Sequence, residues 1–141
     1  MIVVDSSVLI DHLRGVPSAQ VALWQRLVRE NDDQILIGDL VLLEVLQGVR
    51  DARQAAAVEA ALCAFQTAPM LDPVLAVAGA SHDRHLRSLG ITIRRTVDLV
   101  IGTFCIVRNH MLLHCDRDFE PPVFGAMCRH LGLRTLASFP N

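Results

Sequence analysis

The sequence predicts an α/β domain whose central, mostly parallel sheet is flanked by helices. Two observations carry that expectation. Short, wholly apolar runs alternate along the chain with longer segments of helical pattern, as they do when strands are buried on both faces. The boundaries between them hold helix caps and stops: Asp5, Asp39 and Thr96 open helices, and Gly15, Gly90 and Gly132 close them. With 141 residues the chain makes a single domain, 1–141, large enough to bury a real core. It contains no internal repeat, low-complexity segment or linker.

Each element follows from local signals. Residues 1–4 form a short buried strand, and Asp5-Ser6-Ser7 caps a helix running to residue 14, stopped by Gly15 and Pro17. Pro17-Ser18 opens a second helix through residue 30, with Val21, Leu23, Trp24, Leu27 and Val28 as its apolar positions. Asn31-Asp32-Asp33 is a loop, and residues 35–37 are a second buried strand. Gly38-Asp39 opens a helix to residue 49, with Asp39 as its N-cap. An alanine-rich helix follows over 52–65, its small side chains permitting close approach of another helix. Residues 67–71 form a third strand, ended by Asp72-Pro73, and residues 74–89 a helix stopped by Gly90. Thr96 caps a helix over 97–108, and residues 111–114 are a fourth strand. Pro121-Pro122 begins a last helix to residue 131, and residues 133–136 form the final strand.

Three acids lie inside apolar sequence. Asp5 closes Ile2-Val3-Val4, Glu44 is the one charge in Leu40-Val41-Leu42-Leu43-Glu44-Val45-Leu46, and Asp98 stands between Val97 and Leu99-Val100-Ile101. A fourth cluster, Asp116-Arg117-Asp118, follows Met111-Leu112-Leu113-His114-Cys115. A carboxylate so placed needs a compensating cation or it protonates. The chain has no lysine, since all 13 of its Lys+Arg residues are arginine. The acids therefore pair with arginine or hold a metal, and an all-oxygen set without an ordered His/Cys group suits Mg²⁺ or Mn²⁺. Binding sites of open parallel sheets gather beyond the carboxyl ends of the strands. Asp5 and Asp116 stand at such ends, Asp98 in the first turn of a helix, and Glu44 about one and a half turns into another. Each has a plainer explanation alone: Asp5 as a helix cap, Asp98 as an acid favoured by the helix dipole, Glu44 as the partner of an arginine, Asp116 and Asp118 as solvated turn acids. Four such coincidences in one short chain are a less economical account than one metal.

Composition bounds the function further. Hydrophobic content is 52% and mean hydropathy +0.38, a surplus that a partner or a second copy would cover. The net charge of −2 gives no global basic field for nucleic acid. With four acids set aside as ligands, however, the remainder is slightly basic and its cations are all arginine, the side chain whose fork matches phosphate. The four cysteines form no C-x-x-C pair, have apolar neighbours, and are expected to be buried, reduced thiols. The longest later apolar run, residues 99–107, falls far short of the roughly 20 residues that span a bilayer, so no membrane role and a cytoplasmic location are expected. A phosphate-binding loop of the G-x-x-x-x-G-K-[ST] kind is excluded without lysine. Gly79-Ala80-Ser81-His82 does not make a nucleophile elbow. His82 and His85 have zinc spacing, but their polar surroundings read as a solvated helix face.

The ordered set of motifs resembles the PIN-domain ribonucleases, specifically the VapC-type toxins of prokaryotic toxin–antitoxin pairs, over nearly the whole chain. Residues 2–11 look like the first motif with its acid at Asp5. Leu43-Glu44-Val45-Leu46-Gln47-Gly48 is similar to the second, Arg95-Thr96-Val97-Asp98-Leu99-Val100-Ile101-Gly102 to the third, and residues 112–119 to the fourth. The resemblance implies a metal-dependent endoribonuclease using Mg²⁺ or Mn²⁺, with Asp5, Glu44, Asp98 and Asp116 as its acidic centre and Asp118 as a further acid. It implies that Ser7 orients metal-bound water. It also implies a homodimer and a VapB-type antitoxin whose tail crosses the helices near residues 40–65 and blocks the pocket. Pro121-Pro122 departs from the family pattern, at the rim of the site. Arg14, Arg94, Arg95 and Arg117, near the acids in sequence, are expected to grip the RNA backbone. Aromatic residues are 4% of the chain, too few for stacking to carry base selection, so the shape of a folded RNA such as tRNA or ribosomal RNA is the expected basis of choice. The competing readings are a non-cleaving RNA- or protein-binding module on the same fold and a DNA nuclease using the same acids.

Overall fold

The computed structural model describes residues 1–115 and 123–136. Its elements run β1 (Ile2–Val4), α1 (Ser6–Arg14), α2 (Ala19–Glu30), β2 (Ile35–Gly38), α3 (Asp39–Gln47), α4 (Ala52–Cys63), β3 (Gln66–Ala68), α5 (Pro73–Ser88), α6 (Thr96–Arg108), β4 (Met111–Leu113), α7 (Val123–Leu131) and β5 (Arg134–Thr135). Among the described residues the strands make one sheet in the order β3-β2-β1-β4-β5, with every pairing parallel. Parallel strands need crossover helices, and these cover both faces, which is why β1 and β2 read as unbroken apolar runs. Val3, Val4, Ile35, Ile37, Leu112 and Leu113 are fully buried.

The order of the strands locates the site. The chain leaves central β1 toward β2 and β3, then returns to β1's other side for β4 and β5. Succession therefore reverses between β1 and β4, and open α/β sheets bind ligands beyond the carboxyl ends of strands at such a reversal. Asp5 follows β1 directly, and its backbone N–H donates to Leu113 O at 2.9 Å, so the ends of β1 and β4 are held side by side. The segment after Cys115, with Asp116, Arg117, Asp118 and Pro121-Pro122, lies outside the described residues.

Caps set most of the helix starts. Asp5, Ser18, Asp51 and Asp72 each accept from a backbone N–H two or three residues on. Two expected caps are corrected. Asp39 is the first residue of α3, not its cap, and its Oδ1 accepts from Leu40 N at 2.8 Å and from Met70 N at 3.0 Å. Gly38 takes the cap position because a Cβ there would overlap the buried Met70 side chain. Thr96 likewise is the first residue of α6, and Arg95 precedes it at the cap position without a side-chain capping bond. The helix at Asp39 stops at Gln47 rather than 49, and β3 is shorter and earlier than expected because the chain turns off at Met70 to pack on Gly38. A 3-10 turn at Asp32–Gln34 occupies part of the expected loop.

Candidate active site

Asp5 serves as a helix cap and still has an oxygen to spare. Its Oδ2 accepts from Ser7 N at 3.2 Å and from Ser7 Oγ at 2.5 Å. Its Oδ1 is buried, the residue being only 6% exposed, and among the described residues it receives no hydrogen bond. A buried carboxylate oxygen with no donor is costly and calls for compensation, which a bound water or cation supplies. Ser7 Oγ also accepts from Cys115 N at 3.1 Å. The hydroxyl hydrogen of Ser7 is therefore committed to Asp5, and its oxygen ties α1 to the chain leaving β4. Ser7 thereby fixes the orientation of Asp5.

Glu44 comes to the same place from α3. Its Oε1 accepts from Ser6 Oγ at 3.1 Å and its Oε2 from the Arg95 guanidinium at 2.7 Å. The carboxyl side chain is 16% exposed and the arginine 51%. Burial pushes the Glu44 pKa above the usual carboxylate value; the Ser6 bond opposes this, the negative charge of Asp5 adds to it, and Arg95 opposes it. The repulsion from Asp5 puts the two carboxylates within electrostatic reach of each other. Both candidate explanations of Glu44 thus meet in one residue: it has an arginine partner, and it stands beside Asp5. Ser6, buried in the first turn of α1, was not legible as a site residue; its one signal in sequence is a hydroxyl next to Asp5.

Asp98 is half-buried in the first turn of α6, three residues after the Arg95 that reaches Glu44. Seven residues on, nearly two full turns, Cys105 lies on the same helical face. Burial and the nearby charge of Asp5 push the Cys105 thiol up to about 12. Among the described residues no group of three or more His, Cys, Asp or Glu side chains is assembled closely enough to hold a metal ion. The structure brings Asp5 and Glu44 together and places Asp98 in the first turn of α6, while Asp116 and Asp118 lie outside the described residues. Two carboxylates, one of them with an oxygen that no described donor reaches, have the oxygen chemistry that a hard divalent cation takes.

The other expected site residues are placed as follows. Arg95 touches Glu44, and Arg94 is exposed beside it. Arg14 ends α1, which starts at Asp5 and runs away from it for a helix length of about 13 Å. Arg117 is outside the described residues. His82 is not solvated: its Nδ1 lies 3.0 Å from Thr103 Oγ1, across the α5–α6 contact. No cysteine is in a disulfide; Cys105 is buried as expected, but Cys115 and Cys128 are half-buried and Cys63 is exposed.

A second feature flanks α1 on its other side. An open apolar groove of about 800 Å³ runs between α1, α2 and α4, lined by Leu9, Leu13, Trp24, Ala57, Ala61 and Phe65 among others. Val58 and Leu62 are the buried residues of α4, so the alanines of this helix wall the groove instead of packing into the core. Trp24 forms its floor and meets Phe65 edge-on with centroids 5.6 Å apart. No helix of the described residues is long and apolar enough to cross a membrane.

Comparison with known proteins accords with this geometry. The model of the PIN domain matches residues 2–122. Ribonuclease VapC19 of Mycobacterium tuberculosis is 32% identical over 130 residues, covering 86% of this chain and 99% of that protein. Among solved structures, VapBC2 from Rickettsia felis bound to a promoter DNA fragment superposes with a TM-score of 0.71 at 18% identity, over 96% of this chain and 98% of that one. A toxin–antitoxin complex from Klebsiella pneumoniae gives a TM-score of 0.61 at 17% identity, over 79% and 83% of the two chains. At these identities the structures speak for the fold, and the family match and VapC19 speak for descent. The chain belongs to the PIN-domain family and is homologous, at family level, to the VapC toxins of type II toxin–antitoxin systems.

Proposed function

We propose that this protein is a Mg²⁺- or Mn²⁺-dependent endoribonuclease, the toxin of a toxin–antitoxin pair. The observation that carries the reading is Asp5 Oδ1: a buried, donorless carboxylate oxygen at the point where strand succession reverses. Asp5, Glu44, Asp98 and Asp116 would hold the cation, with Asp118 beside them. A divalent cation bound there supplies an acidified water and relief of negative charge on the phosphoryl oxygens. Ser7 holds Asp5 in one orientation and Ser6 does the same for Glu44. The acids position, and no side-chain nucleophile is needed. Arg94, Arg95 and Arg117 grip the RNA backbone; Arg14, at the far end of α1, is not part of this grip. With few aromatic side chains, selection rests on the shape of a folded RNA such as tRNA or ribosomal RNA.

The groove supports an antitoxin partner. An amphipathic segment would lay its apolar face against Trp24, Ala57 and Ala61. This shifts the expected contact from residues 40–65 toward α1, α2 and α4, with α1 leading from the groove to Asp5. Exposed Leu43, Leu71, Val74 and Val77 are the apolar residues that support a homodimer. The test of the whole reading is incubation of the purified protein with total RNA under a Mg²⁺ or Mn²⁺ titration. Discrete fragments that disappear with EDTA support it. Binding without cleavage at every cation concentration makes the protein a non-cleaving module, and cleavage of DNA alone makes it a DNA nuclease.

A further inference from the structure

The acid pocket holds a cation already, and it belongs to the chain. Arg95 Nη2 lies 2.7 Å from Glu44 Oε2, 51 residues away in sequence, while no donor reaches Asp5 Oδ1. Two carboxylates thus share a pocket in which the guanidinium serves the outer one. A divalent cation held by both acids would compete with Arg95 for the charge of the Glu44 carboxylate. Arg95 is well placed to leave. It is the cap residue of α6, extended in backbone (φ −112°, ψ 112°), makes no side-chain capping bond and is half-exposed, so the helix start does not depend on its bond to Glu44. Ser6 keeps its bond to Oε1 and holds Glu44 in position during the exchange.

We propose that Arg95 is an internal counterion of the cation-free site, competing with the divalent cation for Glu44 and lowering the affinity of the pocket for it. This rests on the reading of the pocket as a cation site. Arg95 thereby sets the cation concentration at which the site loads. It is a positioning residue, acting through Glu44 on the cation.

The test is calorimetric titration of Mn²⁺ alone, without RNA, into the full chain and its Arg95→Gln, Arg95→Lys and Asp5→Asn variants at low salt. Loss of a half-exposed ion pair corresponds to about a fivefold change in binding, so Arg95→Gln is expected to bind Mn²⁺ about fivefold more tightly than the parent protein, with Arg95→Lys between them. Asp5→Asn is expected to bind more weakly. Equal or weaker binding by Arg95→Gln, with tight binding by the parent and loss in Asp5→Asn, overturns the counterion role and leaves the cation site standing. No binding by the parent, or Asp5→Asn equal to it, overturns the cation site itself. Should Arg95→Gln fail to fold, the side-chain Nε–H resonance of Arg95 in the parent protein, assigned by its loss in Arg95→Lys, decides the matter. It is expected to shift on saturation with Mg²⁺; an unmoved resonance overturns the proposal.

Discussion

Asp5→Asn is expected to raise the stability of the cation-free protein while removing its response to divalent cations. In the parent, Oδ2 accepts both the amide and the hydroxyl hydrogens of Ser7, and Oδ1 is buried without a donor. Asparagine caps helices as well as aspartate, and its carbonyl oxygen can keep both Ser7 bonds. The amide nitrogen then replaces Oδ1, the charge is gone, and its repulsion of Glu44 goes with it. A buried acceptor left unpaired costs about 1–3 kcal/mol. The new N–H₂ needs partners of its own, so a net gain of about 1 kcal/mol is expected, or about 4 °C in Tm for a chain of this size. The parent, by contrast, gains about 2.7 kcal/mol at a cation concentration a hundredfold above Kd. Scanning calorimetry of both proteins in EDTA and in Mn²⁺ would show the two orders of stability crossing. A less stable Asp5→Asn in EDTA, or an equal rise of both proteins in Mn²⁺, refutes the reasoning.

Three further outcomes follow from particular contacts. Ser7→Ala removes the hydroxyl that bonds Asp5 and accepts from Cys115 N, and is expected to cost about 2–3 kcal/mol in urea unfolding; a loss under about 0.5 kcal/mol would contradict its place at the junction of β1, α1 and β4. Burial lowers the pKa of His82, aided by His85, and that of His110, aided by the N-terminal amine and Arg108, both from 6.5. The unfolded chain takes up these protons first, so this part of the stability is whole above 6.5 and falls as pH drops through the lowered native values. Urea midpoints across that range should show the decline, and an undiminished slope in a His82→Asn, His110→Asn double variant would assign it elsewhere. Ala57→Glu places a charge in the groove and is expected to abolish antitoxin binding while leaving RNA cleavage intact. The single tryptophan, Trp24, lies in that groove, so its emission should shift when the antitoxin binds the parent protein and stay fixed with the variant.

What could be read from sequence was what local chemistry decides. The wholly apolar runs at β1 and β2 are strands because helices cover both faces, and Asp5, Ser18 and Asp72 act within three residues of themselves, a distance visible in sequence. Misreadings arose where a distant residue takes the side chain. Asp39 is drawn to Met70 N, 31 residues on, and His82 to Thr103, 21 residues on. The partner of Glu44 was foreseeable as an arginine, because the chain has no lysine, but which arginine depends on where the residue before α6 comes to lie. Cys63 is exposed because α4 forms an outer wall of the groove, an arrangement that no local pattern encodes. The acids Asp5, Glu44 and Asp98 stood out because their surroundings are apolar, so a charge there calls for compensation. The nearness of Asp5 and Glu44 could not be read in this way, because it depends on how α1 and α3 are laid beside each other.

Anomalous diffraction from a crystal of this protein soaked in Mn²⁺ measures where the cation goes. A peak about 2.2 Å from Asp5 Oδ1, shared with Glu44 and with Arg95 withdrawn, is the expected result. A fully soaked crystal with no peak beside Asp5, and Arg95 still seated on Glu44, would contradict the account.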